Sequence, residues 1–193
     1  MTTRSGLAIS FISRLLKAPR AIAAVLLAAA ALLGASLAAQ EMIPVANFRL
    51  RTDQLEMQMW DLINRDRTDP STVQETKGRA KPLQWDGRLA EVARLHSEEM
   101  AREGFFGHEG ADGSEPSNRV TRAGIQWRST GENIAKCRDV AEAEENFMDE
   151  PRFRANHRGN ILNSEYTHVG VGIARGPDGT LYITQEFAQE PQD

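Results

Sequence analysis

Apolar residues recur at helical spacing near the start of the polar part of the chain. The pattern predicts a helix over 53–67, whose apolar face is formed by Leu55, Met59, Leu62 and Ile63. The helix ends before Pro70, because a proline disfavours helical backbone in the residue that precedes it. Residues 71–81 are polar and predict a loop.

A second apolar stripe predicts a longer helix that begins at Asp86 and ends at Gly104. Its buried face is formed by Leu89, Val92, Ala93, His96 and Met100. We interpret His96 as a core histidine with a hydrogen-bond partner, because it lies on the apolar stripe and histidines are often partly buried.

Glycine, serine, aspartate and proline dominate residues 107–118, which predicts a loop that contains His108. A short helix is expected over 116–123. Loops carried by a rigid scaffold hold functional residues more often than buried helices do, so His108 is a candidate site residue.

The segment Gly131-Glu132-Asn133-Ile134-Ala135 predicts a short strand. A carboxylate on its partly buried face costs free energy unless it is paired or bound. A helix is expected over 139–149, and Glu150 lies at its C-terminal end, where the helix dipole disfavours a negative charge. We therefore expect Glu150 to have a compensating partner. One or two further helical turns are expected over 154–162.

Alternation of residue types at the end of the chain predicts a β-hairpin. Residues 166–173 and 180–187 form its strands, and the turn lies at Gly176-Pro177-Asp178-Gly179. His168 shares a strand face with two glycines, which leave room for another backbone or for a ligand. Helices followed by a hairpin predict an α+β or a layered α/β/α domain.

The first 39 residues differ from the rest of the chain. Four basic residues precede an Ala-rich apolar run, and Ser36 and Ala38 fit the small residues of a signal cleavage site. The run is also long enough to span a bilayer. We interpret 1–39 as a signal peptide or membrane anchor, 40–52 as a spacer and 53–190 as one domain. The domain is then secreted, periplasmic or held at the cell envelope.

Charge limits the classes of partner, and cysteine content limits disulfide and thiol chemistry. Residues 1–39 hold four of the 23 Lys and Arg and none of the 27 Asp and Glu, so the remainder has a formal net charge of −8. Such a surface argues against nucleic acid, which needs clustered basic residues, and against anionic membranes. Cys137 is the only cysteine, which excludes an internal disulfide, and no cysteine-nucleophile signature surrounds it.

Recognisable catalytic signatures are missing from the sequence. We find no Gly-x-Ser-x-Gly elbow, no His-Glu-x-x-His zinc helix, no phosphate-binding Gly-x-x-x-x-Gly-Lys loop and no calcium loop. The remaining chemistry is that of His108, His168 and Glu132, since imidazoles and carboxylates bind divalent metals and transfer protons.

Seven short motifs in order resemble the bacterial branch of the CAP superfamily (cysteine-rich secretory proteins, antigen 5 and pathogenesis-related class 1 proteins, also called SCP-like extracellular). They are Trp85-Asp86, His96-Ser97, Phe106-Gly107-His108, Asp112-Gly113, Gly131-Glu132-Asn133-Ile134-Ala135, His157-Arg158-x-Asn160-Ile161-Leu162 and His168-Val169-Gly170-Val171-Gly172. The match covers about Leu55 to Ala188. It implies secretion and a three-layer α-β-α sandwich.

The resemblance also implies a central cleft in which two His and two Glu bind zinc or another divalent ion in some members. It assigns His108, Glu132, Glu150 and His168 to this site, as metal ligands and as candidates for catalysis. Glu150 takes the place of a glutamate that follows a helix-end tryptophan in the family, and Phe147 stands at the tryptophan's place. Glu144 and Glu145 are alternatives to Glu150.

Three functions are compatible with this sequence. The first is a secreted binding protein whose His/Glu cleft holds a divalent metal or small ligand, with a lipid or an envelope component as further candidate partners. The second is a metal-assisted hydrolase of peptides or envelope polymers, in which a metal-bound water attacks and a glutamate acts as base. The third is a structural or interaction domain without a ligand. A polar cluster without a nucleophile signature favours binding.

Overall fold

The structure is a computed structural model that describes residues 52–151 and 156–191. The predicted signal peptide or anchor, and the spacer up to residue 51, lie outside the described residues. Within the described ranges, no helix is both long and apolar enough to cross a membrane.

Helices precede and surround a four-stranded sheet. In chain order the described elements are α1 (52–68), α2 (Pro70–Thr76), β1 (Gln84–Trp85), α3 (Gly87–Glu103), α4 (Pro116–Arg122), β2 (Ser129–Cys137), α5 (Val140–Met148), α6 (His157–Ile161), β3 (His168–Arg175) and β4 (Leu181–Gln189).

The sheet has the strand order β1-β3-β4-β2. The strands β3 and β4 form the predicted hairpin, β1 lies parallel to β3, and β2 is antiparallel to β4. Glycine is required at the end of the hairpin turn, where Gly179 has a φ of +85°. In this order β2 is an edge strand of the described sheet.

One face of the sheet is covered by α3 and α4. Gly170, Glu186 and Glu132 are directly opposed across β3, β4 and β2, so their side-chain positions share this face. The Ser97 hydroxyl of α3 reaches the same face and donates to the carbonyl of Gly172 at 2.9 Å. Val120 of α4 is buried in a small apolar cluster with residues of α3.

The opposite face is covered by α1, α5 and α6 and holds the larger apolar core. That core includes Met59, Ile63, Phe147, Ile161, Val171, Ile173 and Ile183. Helices therefore cover both faces of a mixed sheet, which confirms the predicted α+β class and the α-β-α layering.

The helix α3 follows its sequence signals closely. Asp86 caps it by accepting a hydrogen bond from Arg88 N at 2.7 Å, and Gly104 ends it in the left-handed conformation. His96 is 1% exposed, and its Nε2–H donates to the carbonyl of Gly107 at 2.9 Å. The ring also packs against Phe105, so His96 is a core histidine, as predicted.

Three segments differ from the predictions. The expected loop over 71–81 begins with the helix α2, because Asp69 caps it by accepting from Ser71 N at 2.9 Å and proline suits the first helical position. The strand β1 was not predicted, since two residues are too few to show alternation. The strand β2 is also longer than the predicted segment over 131–135.

Candidate functional site

A cleft of about 290 Å³ opens at the outer edge of β2, between the two helical layers. An edge strand contributes side chains from both faces of a sheet, so Glu132 enters from the α3 side and Asn133 from the α6 side. The cleft is lined by His108, Glu132, Asn133, Glu150, Asn156, His157 and Asn160.

The first pair of functional groups in this cleft is His108 with Glu132. His108 Nδ1 lies 2.6 Å from Glu132 Oε1, and the imidazole side chain is 49% exposed while the carboxylate is buried. The hydrogen bond to Glu132 raises the pKa of His108 above its usual value. Because Nδ1–H donates to the carboxylate, Nε2 keeps its lone pair in the neutral ring.

Arg119 of α4 engages the other oxygen of Glu132. Its Nη2 lies 2.5 Å from Glu132 Oε2, and its Nη1 donates to the carbonyls of His108 and Ser114 at 2.9 and 2.8 Å. Burial alone would raise the pKa of Glu132, but hydrogen bonds with His108 and Glu186 and the charge of Arg119 outweigh burial and lower it. Glu132 is therefore an ionised carboxylate with both oxygens engaged.

A second glutamate lies beside Glu132 on the same face of the sheet. Glu186 of β4 is fully buried, and its Oε1 is 3.9 Å from Arg119 Nη2. Burial and the adjacent charge of Glu132 raise the pKa of Glu186 well above its usual value. No described residue donates a hydrogen bond to either of its oxygens, so nothing offsets the cost of charging this buried group. Sequence reasoning missed this residue, whose only signal was a charged side chain in a buried strand.

The second functional pair in the cleft is Glu150 with His157. His157 Nδ1 lies 2.6 Å from Glu150 Oε1, and the backbone N–H of His157 donates to Glu150 Oε2 at 2.9 Å. The imidazole stacks on Phe147, with ring centroids 4.5 Å apart. Glu150 thus has the compensating partner that its position at a helix end predicts.

The structure corrects the position of His168. This residue begins β3, and β4 lies between it and β2. Its Nδ1 is 2.9 Å from Thr167 Oγ1 and 3.9 Å from Glu190 Oε1, and it is not among the residues that line the cleft. The cleft contains His157 where the sequence reasoning placed His168.

The physical reason lies in the glycines that share a strand face with His168. A Cβ on Gly170 would overlap the backbone nitrogen of Ala90, and one on Gly172 would overlap that of Arg94. The room on this face is therefore occupied by the backbone of α3, not by a ligand. His157 had a sequence signal of its own, the motif His157-Arg158-x-Asn160, which the sequence reasoning used only for the resemblance.

Of the three candidates for the second glutamate, Glu150 lines the cleft. Glu144 is fully buried beneath the sheet, where its Oε2 accepts from Gln185 Nε2 at 2.8 Å. Burial raises the pKa of Glu144 to about 8. Glu145 is exposed on the outer surface of α5.

A chain of amide groups connects Glu144 to the cleft. Gln185 Oε1 accepts from Asn133 Nδ2 at 2.8 Å, and Asn133 Oδ1 accepts from Asn160 Nδ2 at 2.8 Å. Asn133 Nδ2 also donates to the carbonyl of His157 at 3.1 Å. These bonds fix the helix that carries His157 relative to the strand that carries Glu132.

The opposite end of α6 is held by a buried guanidinium group. Arg67 Nη1 donates to the carbonyls of Ile161 and Asn163 at 2.6 and 3.0 Å, which satisfies acceptors at the C-terminal end of this helix. Burial lowers the pKa of Arg67 to about 10, so it stays charged at neutral pH.

The donor atoms fit a metal ion only in part. In the described part of the chain, no group of three or more His, Cys, Asp or Glu side chains is arranged to hold a metal ion. His108 and His157, however, each bind a carboxylate through Nδ1, and neither Nε2 atom has a hydrogen-bond partner among the described residues. A carboxylate on one ring nitrogen is the arrangement that orients histidine ligands in metal sites.

The single thiol does not add a nucleophile to this cleft. Cys137 ends β2, and its Sγ donates to the carbonyl of Asp139 at 3.3 Å. Burial raises the pKa of the thiol, which favours the unreactive protonated form.

Sequence relatives carry the same domain within longer chains. The uncharacterized membrane protein YlbC of Bacillus subtilis is 35% identical over 133 residues, which cover 68% of this chain and 34% of that protein. The uncharacterized protein YkwD of the same organism is 33% identical over 118 residues, covering 61% of this chain and 43% of its own length. This chain thus spans less than half the length of either relative.

Solved structures agree with the fold. An extracellular protein containing an SCP domain from Bacillus anthracis is 26% identical, with a TM-score of 0.57 over 72% of this chain and 41% of that one. An outer surface protein of Borrelia burgdorferi is 16% identical, with a TM-score of 0.53 over 63% of this chain and 88% of that one, which supports the fold alone.

The family assignment rests on a match to the sequence model of a protein family. The CAP family, described as the cysteine-rich secretory protein family, matches residues 60–187, which is more than half of the chain and includes every residue of the cleft. The resemblance inferred from seven short motifs is confirmed. This chain belongs to the CAP family.

Proposed function

We propose that this protein is an extracytoplasmic binding protein whose cleft takes up a divalent cation, with zinc as the best match, through Nε2 of His108 and Nε2 of His157. The observation that carries the proposal is the pair of His–Glu contacts, each 2.6 Å long, that line one cleft from opposite helical layers. Zinc accepts imidazole nitrogen readily, and two protein ligands leave positions open for water or for a ligand group.

The location outside the cytoplasm is supported by three observations. The N-terminal sequence has the composition of an export signal or anchor. One relative is a membrane protein, and a solved structure with 26% identity is an extracellular protein.

The state of the carboxylates favours binding over hydrolysis. A metal-assisted hydrolase needs a carboxylate that is free to accept a proton from water. Glu132 is engaged by His108 and Arg119, and Glu150 is engaged by the ring and the backbone of His157. In this arrangement the carboxylates orient the imidazoles and are not available as general bases.

Zinc titration of the metal-free protein tests this function. We expect saturable zinc binding by calorimetry that is lost in His108→Ala and in His157→Ala. His168→Ala is the matched control, since His168 does not line the cleft, and it should bind zinc like the unmodified chain. A double His108→Ala/His157→Ala variant that keeps the original affinity would show that the cleft is not the metal site.

A further inference from the structure

A second depression continues from the cleft toward α4 and shares His108 and Glu132 with it. Its volume is about 680 Å³, and its lining includes Glu115, Pro116, Ser117, Trp127, Ser129 and Thr130. We call this depression the α4 groove. The two His–Glu pairs do not explain this depression. We therefore infer its ligand from the residues that line it.

The main apolar surface of the α4 groove is the indole of Trp127. This residue is 36% exposed, and its Nε1 donates to Thr121 Oγ1 at 3.1 Å, which fixes the ring against α4. The other two tryptophans serve the fold, because Trp60 and Trp85 pack edge to face with centroids 6.1 Å apart. An exposed ring held in one orientation is a preorganised contact surface.

The rest of the groove is polar and carries no lysine or arginine among its described lining residues. The imidazole of His108 also lines the groove, but it is already paired with the carboxylate of Glu132. Hydroxyl groups come from Ser117, Ser129 and Thr130, and a carboxylate comes from Glu115. The guanidinium of Arg119, next to the groove residue Glu132, is directed to that carboxylate and is 11% exposed. Phosphate and sulfate groups require basic partners, so this lining does not match an anionic ligand.

We propose that the α4 groove binds a neutral oligosaccharide, with one sugar ring stacked on Trp127. A pyranose ring presents an apolar C–H face to an aromatic ring, and its hydroxyls both donate and accept hydrogen bonds. That combination matches a single oriented indole surrounded by hydroxyl and carboxylate groups. A chain of sugar rings that starts at Trp127 would extend along β2 toward His108.

An extended peptide matches the groove less well. A peptide that adds to the edge of β2 would need a row of unpaired backbone groups. Along β4, the carbonyl of Gln189 points toward the β2 side and accepts from Arg128, whereas the carbonyl of Ala188 points toward β3 and accepts from Thr167. Because this alternation continues along an antiparallel pair, every second residue of β2 directs its backbone groups outward. In the middle of that row, Asn160 Nδ2 already donates to the carbonyl of Glu132 at 3.1 Å.

The proposal does not depend on a metal ion, because no residue of the second pair, Glu150 and His157, lines the α4 groove. Binding is therefore measured both with EDTA and with zinc. Saccharide binding by the unmodified chain in EDTA, together with no zinc binding by the same chain, would contradict the metal function and support this one. Zinc binding without saccharide binding would do the opposite.

The test uses the full chain and two neutral probes, the β-1,4-linked tetramers of N-acetylglucosamine and of glucose. We expect saturable binding of at least one of them by calorimetry, with a change in tryptophan fluorescence. Trp127→Ala should raise the Kd at least tenfold, and Trp127→Phe should raise it less because a flat ring remains. Leu95→Ala removes an exposed apolar side chain of α3 and is the matched control, with an unchanged Kd.

Ser117→Lys guards against a folding defect in the Trp127 variants, because it fills the groove from a helix surface without disturbing the indole. It should also weaken binding of the tetramer at least tenfold. The proposal is overturned if neither neutral tetramer binds at millimolar concentration, or if Trp127→Ala leaves the Kd unchanged. A sulfated tetrasaccharide or an extended neutral hexapeptide that binds more tightly than the neutral tetramers would also overturn it.

Discussion

At the scale of single residues, the main feature of this domain is a set of buried glutamates whose pKa values are shifted. Glu132 stays ionised because His108 and Arg119 bind its two oxygens, whereas burial and that same charge raise the pKa of Glu186, its cross-strand neighbour, well above the usual value. Glu144 is buried on the opposite side of the sheet and also has a raised pKa. Three buried glutamates with shifted pKa values therefore lie close to the cleft, two on one face of the sheet and one on the other.

The raised pKa of Glu144 predicts a specific pH dependence of stability. Its folded pKa of about 8 lies above its ordinary value of 4.5. Between these two pH values the folded chain holds a proton that the unfolded chain releases, so this residue makes the fold less stable as pH rises from about 4.5 to about 8. Glu144→Gln removes that loss of stability. The change that it causes in the free energy of unfolding should therefore be about 1–3 kcal/mol more favourable at pH 8 than at pH 5.

Urea unfolding at the two pH values measures this difference. Glu145→Gln, on the exposed side of the same helix, is the control and should show no such dependence. Equal effects of Glu144→Gln at pH 5 and pH 8 would mean that Glu144 is not a buried neutral acid.

The two histidines near the end of α3 should differ in their effects on stability. His96→Ala removes a ring that is 1% exposed and leaves the carbonyl of Gly107 without its donor, so we expect a loss of about 2–4 kcal/mol. His108→Ala removes a half-exposed ring whose partner Glu132 keeps its bond to Arg119, so the loss should be below about 1 kcal/mol without metal. Thermal melts of the metal-free variants measure both, and the reverse ranking would contradict these roles.

At the scale of elements, the contact between α3 and β3 depends on glycine. Gly170 and Gly172 lie on the strand face that α3 covers, and each would place a Cβ into helix backbone if substituted. Helix backbone does not move aside as a flexible side chain does. The strand and the helix can therefore approach closely only where no side chain intervenes.

Gly170→Ala should accordingly destabilise the domain by about 3 kcal/mol or more, because the added methyl group overlaps backbone atoms of Leu89 and Ala90. Gly87→Ala, at the start of α3, is the control, since a Cβ there meets no atom within 4 Å among the described residues. Its effect should stay within about 1 kcal/mol. Denaturant unfolding compares the two, and similar losses would indicate that packing between α3 and β3 is loose.

The elements with strong periodicity were predictable, whereas those without it were not. The helix α3 and the hairpin follow from apolar spacing, a cap and a turn, all of which are local. The strand β1 has two residues and gains its partner only from β3, so no local pattern could predict it. In α2, the proline that ends the preceding helix also begins the next one.

The candidate cleft was predictable only in part, for a related reason. Strand alternation placed His168 correctly on a face with small residues, but it could not tell that a helix fills that face. His157 enters the cleft through hydrogen bonds with Glu150, seven residues earlier, and with Asn133 on another strand. Contacts of this kind depend on the assembled layers and not on the spacing of residue types.

At the scale of the whole molecule, a bound cation would join two layers. His108 belongs to the layer of α3 and α4, whereas His157 belongs to the layer of α5 and α6. An ion held by both imidazoles connects these layers at the edge of the sheet, so zinc should raise the melting temperature of the domain.

The proposed zinc binding should also weaken at a higher pH than an ordinary histidine would predict. The hydrogen bond to Glu132 raises the pKa of His108, so protons begin to compete with the ion at a higher pH than they would for a histidine without that bond. Glu132→Gln should shift the loss to lower pH and reduce zinc affinity about 10–100-fold. Glu190→Gln, next to His168, is the control, and competition with a chelator from pH 5.5 to 8 measures all three proteins. The same pH dependence of zinc affinity in the unmodified chain and in Glu132→Gln would contradict the role of Glu132.

The capped edge of β2 has a consequence for how copies of the protein behave toward one another. A long exposed edge strand invites pairing between molecules, which leads to aggregation. Here Asn160 binds the outward carbonyl of Glu132, and exposed Lys136 adds a charge near the end of the strand. At the other edge, β1 is only two residues long. The helix that supplies the second imidazole thus also keeps neighbouring molecules from joining their sheets.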